Sequence, residues 1–276
     1  MKGKAKMESV AALTEAVLAG EFGPSPAERT VTSAFWLHHT TRLAGGGVTY
    51  RNHYLLLRVG SGFGACSFEE GELEADFCAT ASGEPLDKLI GDDRMPVRIA
   101  ALDAYLADAR PHRDAGAEQV VLPIGTPEVR ARARDEAIAG LLEIRPGARV
   151  ALIGVVNPLV AAITERGGEC LPCDLNLRTT QWGQPVSREM DEVLDVADAV
   201  VATGMTLSNG SFDRLLARSR ERGLPLVVYA QTGSAVARAF LGHGVTAVSA
   251  EPFPFSQFSA EPSTVYRYRA VSDRAS

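Results

Sequence analysis

The chain has 276 residues, 46% hydrophobic and 22% charged, the balance of a folded protein with a sizeable core and room for two domains of ordinary size. A net charge of −6 repels nucleic acid and anionic membrane, which excludes both as partners. Glu8, Glu15 and Glu21 interrupt the stretch behind the basic start, no apolar run spans a bilayer, and four cysteines make no disulfide framework, so a cytoplasmic protein is expected.

Apolar positions recur at helical spacing over residues 7–20 and stop at Gly20. Stretches rich in β-branched and aromatic residues follow at 30–43, 48–59 and 64–68, separated by Gly45-Gly46-Gly47 and Gly60-Ser61-Gly62, which predicts an antiparallel meander. Two helices come next, at 85–90 and 96–109, each with proline where the first turn accepts it. Strands followed by helices imply an α+β domain over residues 1–112, and residues 111–125 read as a connection.

Behind Thr126, a plausible N-cap, a helix is predicted to about Ile144 and the order becomes alternating. Strands at 150–156, 169–174, 199–203, 225–230 and 245–249 interleave with helices at 158–166, 187–197, 211–222 and 233–241. The strands are nearly continuous apolar runs, as both-side burial requires, so residues 126–276 are expected to form a doubly wound parallel sheet of Rossmann type, with 264–270 as an edge strand.

Ligands of such sheets bind beyond the carboxyl ends of the strands. The first of these turns, Gly154 to Pro158, has one glycine rather than three, which disfavours a dinucleotide. Asn157 can cap the next helix and Pro158 start it, leaving backbone donors for a ligand; a cap alone is an equal reading. Asp174 stands twenty positions after Gly154, where a carboxylate can take a ribose diol, with Asn176 beside it; a solvated turn is the bland alternative. The third turn offers Thr203, Gly204, Thr206, Ser208 and Asn209, the fourth Gln231 and Thr232. After the fifth strand, Glu251 leads into Phe253, Phe255 and Phe258, which need cover and are expected to face the Tyr50–His53 strand.

Other constellations are weaker. Cys170 and Cys173 fall on one predicted strand at odd separation, so they point to opposite faces and read as buried structural thiols. His38 and His39 also point opposite ways. One of them could join His53 with Glu70 or Asp76 at a metal, against the commoner case of satisfied or exposed histidine. Arg130, Arg132 and Arg134 read as a solvated helix face.

The runs VALIGVVNPLVAAITERGGECLPCDLN and ADAVVATGMTLSNGSFDRLL resemble the heavy-metal chelation family, Rossmann-like domains preceded by a domain like the N-terminal part of enolase. DFCATASGEPLDKLI and PVRIAALDAYL look like that preceding domain. The resemblance implies both domains and a cleft between them as the site. The leading expectation is S-adenosylmethionine, or a related nucleoside, bound by the Asn157 turn, Asp174 and the 203–211 loop. Chemistry at the sulfonium carbon, of transferase or lyase type, would take Tyr50, His53 or Glu251 as a base where one is needed. The rivals are a non-catalytic protein for a metal or metal chelate and a small-molecule sensor. No structural metal is expected, and self-association is left open.

Overall fold

A computed structural model describes residues 7–42, 49–74 and 76–271. The N-terminal part comprises α1 (Val10–Leu18), the strands β1 (Val31–Thr41), β2 (Tyr50–Val59) and β3 (Gly62–Phe68), and the helices α2 (Phe77–Ala81), α3 (Leu86–Ile90) and α4 (Met95–Ala109). β4 (Glu118–Leu122) and α5 (Pro127–Ala139) lead into the alternating half: β5 (Arg149–Ile153), α6 (Asn157–Glu165), β6 (Glu169–Cys173), α7 (Met190–Val196), β7 (Ala199–Thr203), α8 (Met205–Ser208) and α9 (Phe212–Arg222). It ends with β8 (Leu226–Ala230), α10 (Ser234–Ala239), β9 (Ala247–Ala250) and β10 (Ser263–Arg269). Ser9 and Thr126 cap α1 and α5 with their side-chain oxygens.

Two sheets result. β1, β2 and β3 form an antiparallel meander. The larger sheet has seven strands in the order β4-β10-β9-β8-β7-β5-β6, parallel from β9 to β6. Two expectations are corrected here. β10 is no edge strand: it lies antiparallel between β9 and β4. The edge is β4, taken from the stretch read as a connection, where Leu122 alone of its five residues is buried.

Along the parallel strands alternate residues enter two cores. Val150, Leu152, Cys170, Val201 and Val227 meet α5 and α6 residues such as Ile138, Leu159 and Ile163. Ala151, Ile153, Cys173, Val200 and Val228 join a larger core that also holds Phe212, Phe240, and Leu55, Leu57, Ile99 and Leu102 of the N-terminal part. The two sheets therefore share one apolar interior. Cys170 and Cys173 do occupy opposite faces of β6, and burial pushes their thiols up to about 12 and about 11, which leaves both inert as nucleophiles.

The join between the sheets is tight. A Cβ on Gly64 would lie 2.0 Å from the Ala104 nitrogen and 2.2 Å from the Ala100 oxygen, so β3 rests on the backbone of α4. Close by, the fully buried Asp103 of α4 receives Ala65 N–H of β3 at 2.9 Å on one oxygen and Ala235 N–H of α10 at 2.7 Å on the other. Gly233 N–H donates to the Ala65 carbonyl at 2.8 Å and closes the circuit. His112, also buried, has Nδ1 2.9 Å from the Tyr268 hydroxyl and Nε2 3.2 Å from Ser234 Oγ.

Burial pushes the Asp103 carboxyl up to about 7, against the backbone N–H groups and Arg238, which hold it down. Burial, then the nearby Arg238 cation, lowers His112 to about 3. The raised acid favours the folded state below its unfolded value of 3.8 and loses that contribution as pH rises through about 7. The lowered histidine contributes above its unfolded value of 6.5 and loses it as pH falls toward about 3. The two slopes oppose each other in the acid range. Asp103→Asn removes the first, so its unfolding free energy, followed by urea denaturation from about pH 4 to about 7, is expected to rise more steeply with pH than that of the unchanged protein. A parallel pair of curves would contradict the assignment.

Candidate functional site

The strand order changes direction between β5 and β7, the crevice where an open α/β sheet takes its ligand. Here the protein's own side chains fill it. A Cβ on Gly154, which has φ +83°, would lie 2.4 Å from Thr203 Cγ2, and the Tyr229 hydroxyl donates to the Gly154 carbonyl at 2.8 Å. Desolvation raises the Tyr229 phenol well above its ordinary value, so it stays protonated and a donor.

The carboxylate of Asp174 is engaged as well. It accepts Val155 N–H at 2.9 Å on Oδ2, and Asn176 N–H at 2.8 Å and Leu177 N–H at 3.0 Å on Oδ1. Of about four acceptor positions on an ionised carboxylate, three are used, and one of the partners is Val155 N–H, within the turn whose backbone donors were expected to serve a ligand. Asn157 does not cap α6. Val156 holds the cap position, and Asn157 Oδ1 accepts Gln181 N–H at 3.0 Å, pinning the loop after β6 over the turn; Pro158 sits in the first turn as read. That part of the edge is built as a braced turn.

The third turn is the short helix α8. Thr206 is buried and donates to the Thr203 carbonyl at 2.8 Å, Gly204 N–H donates to the Tyr229 carbonyl at 2.7 Å, and Asn209 accepts from Ser211. A Cβ on Gly204 would lie 2.6 Å from the Thr232 oxygen, so the third and fourth turns also touch. Gln231 donates to Glu251 at 2.8 Å and exchanges hydrogen bonds with Gln257. The buried Glu251 also accepts Ser256 N–H, which folds the 251–258 segment back on itself. Phe255 and Phe258 then pack edge-on against Tyr54, and Phe253 against Phe63, so the aromatic segment covers the outer face of the three-stranded sheet.

Helix α5 corrects the reading of its arginines. Arg130 is buried and donates to the Pro123 and Glu261 carbonyls and to Ser263 Oγ. Arg134 pairs with the buried Asp135 at 3.1 Å and feels the Glu251 charge. Of the three, Arg132 alone is exposed on the helix face.

An open cavity of about 260 Å³ lies elsewhere, at the end of the three-stranded sheet. His38 of β1, Arg51, Asn52 and His53 of β2, Ser67 and Phe68 of β3, Glu69, Glu70, and Met205 of α8 line it. The hairpin register pairs His38 directly with His53, their ring centroids 4.2 Å apart, with His38 stacked on Trp36 and His53 tilted against Phe68. Ser67 and Ser208 hydroxyls, 2.9 Å apart, tie β3 to α8 below the opening. His53 and the neighbourhood of Ser208 are thus brought together, whereas Glu251, Asp174 and Gln231 are not among the lining residues. Tyr50 pairs with Thr41 at the start of β2, and its side chain lies outside the described residues. Sequence reading missed Arg51, Asn52, Ser67 and Met205. A hairpin register centred in the Gly45–Gly47 stretch would have placed His38 opposite His53. Among the described residues, no three of His, Cys, Asp and Glu are placed to hold one metal ion.

Glu251 has the geometry of a brace. Glu251→Ala strands the Ser256 N–H and leaves Arg134 with less compensation, so about 2–4 kcal/mol of stability should be lost, read as a lower urea midpoint at unchanged slope. An unshifted midpoint would free Glu251 for a role with ligand.

No helix among the described residues is long and apolar enough to cross a membrane. No curated protein matches the chain. A DUF364-family protein of unknown function from Desulfitobacterium hafniense superimposes with a TM-score of 0.62 at 15% identity, covering 98% of this chain and all of that one. A second, from Pyrococcus horikoshii, gives 0.57 at 15% identity over 94% and 99% of the two chains. At such identities the likeness is one of fold. The model of the DUF364 family, described as "Putative heavy-metal chelation", matches residues 136–251, within the half that carries the parallel sheet.

Proposed function

We propose that the chain binds a small carboxylate-bearing metal chelate in the cavity between the three-stranded sheet and α8. The observation that carries this reading is the lining itself: Arg51 and Asn52 offer hydrogen-bond donors beside two imidazoles, without a third protein ligand among the described residues to close a metal shell. A bare ion would be left half coordinated, while a metal arriving with its own carboxylates needs only anion recognition and one or two open positions. The volume points the same way. At about 260 Å³ the cavity lies below the usual range of about 300–1,000 Å³, which suits a compact chelator better than a nucleoside with an amino-acid tail. The family description is in keeping with a metal-related ligand.

The S-adenosylmethionine reading needs Asp174 as ribose acceptor, and three backbone N–H groups already hold that carboxylate. Of the bases weighed for a transferase or lyase, His53 lines the cavity and Glu251 does not. Calorimetry with nickel citrate, citrate and S-adenosylmethionine separates the readings. Nickel citrate is expected to bind, with Arg51→Ala weakening it about tenfold or more, since a charge-assisted hydrogen bond contributes about 1.5–3 kcal/mol and ~1.4 kcal/mol is one decade. Binding of S-adenosylmethionine with loss in Asp174→Ala, and none of citrate in either form, would reverse the assignment.

A further inference from the structure

We infer that His38 and His53 act as a two-imidazole coordination pair that takes two positions on a late first-row divalent metal, the chelator supplying the others. The inference rests on the chelate reading and adds the metal's protein ligands to it. Three observations support it.

The first is geometry. His38 and His53 are direct cross-strand partners, which places their side chains on the same face of the hairpin with Cβ atoms roughly 4.5–5.5 Å apart. Their ring centroids, 4.2 Å apart, are close enough for both rings to turn a nitrogen toward one ion in the cavity they line. The hairpin fixes this pairing through a run of consecutive register partners from Ser33↔Arg58 to Thr41↔Tyr50.

The second is what surrounds the pair. Trp36 lies parallel to His38 with 5.8 Å between centroids, and Phe68 lies 5.5 Å from His53, so aromatic rings limit how far the imidazoles can swing. An apolar shell around a metal site restricts solvent access and lowers the local dielectric. Imidazole nitrogen suits zinc, copper and nickel, not calcium or magnesium, which sets the class of ion.

The third is the incomplete ligand set. Among the described residues no third His, Cys, Asp or Glu completes the site, although Glu69 and Glu70 stand on the cavity wall. Two imidazoles leave positions open for a chelator, and the adjacent Arg51 can meet a carboxylate that the metal does not use. The competing role for the pair is an aromatic platform, which phenylalanine would fill equally well.

The test uses copper(II) iminodiacetate, a carboxylate chelate with coordination positions to spare, added to the full chain made without a histidine tag. The expected result is one copper per chain, with electron paramagnetic resonance showing coupling to two imidazole nitrogens. His38→Phe and His53→Phe keep a ring in place. Each should reduce the imidazole count to one and weaken copper iminodiacetate at least about tenfold, because loss of even an outer partner of a metal ligand costs about 10–100-fold. Retained affinity in the His38→Phe/His53→Phe double variant, or bound copper without imidazole coupling, would overturn the inference. Nickel citrate binding that survives in this double variant but falls in Arg51→Ala would overturn the coordination role alone and leave the chelate reading standing. Loss of neither would overturn both.

Discussion

The carboxylate of Asp103 is the constraint on which the rest of the architecture depends. It sits buried in α4, and each of its oxygens is met by a backbone N–H from a different half of the fold: Ala65 from β3 of the small sheet, and Ala235 from the start of α10, which follows β8 of the large one. A buried carboxylate is tolerated only when such donors replace water. By accepting from both sides it fixes where the meander stands relative to the parallel sheet. Gly64 allows the approach, since any side chain there would run into the backbone of α4. The shared core of Leu55, Leu57, Ile99, Val200 and Val228 then follows from that placement.

The same placement moves the candidate site. Rossmann-type sheets bind at the strand switch, and this chain has the switch, between β5 and β7. Tyr229, Thr203 and the Asp174-braced turn occupy it. The opening lies instead where the hairpin end of the small sheet meets α8, held by the Ser67–Ser208 contact. A polar crevice closed by the protein's own hydrogen bonds is a structural joint, and the exposed donors have shifted to its rim.

Much of the fold was legible in the sequence because apolar continuity in β5, β7 and β8 and turn residues at their ends report burial locally. What escaped was decided by distant partners. Glu118–Leu122 carries little local signal, since an edge strand buries only Leu122, yet its register with β10 makes it part of the sheet. Arg130 looked solvated on a helix wheel because its partners, Pro123 and the 261–263 segment, meet it only once β4 and β10 pair. At the site, His53 was legible as a chemically useful residue. That His38 rather than His39 would stand beside it depends on hairpin register, and Ser67 and Met205 depend on how α8 docks.

The Gly64–α4 contact has a mechanical consequence. Proteins that trap small ligands between two lobes commonly do so by rotation about a hinge. With β3 lying directly on the helix backbone, and the Asp103 circuit tying it to α10, any such rotation would strand buried N–H groups on both sides at once. On the proposed reading the two sheets would form a rigid socket, and discrimination between guests would fall to side-chain rotamers around its mouth: Arg51, Met205 and the exposed Glu69 and Glu70. Entry and release of such a guest would then proceed at the pace of side-chain motion, far faster than domain closure.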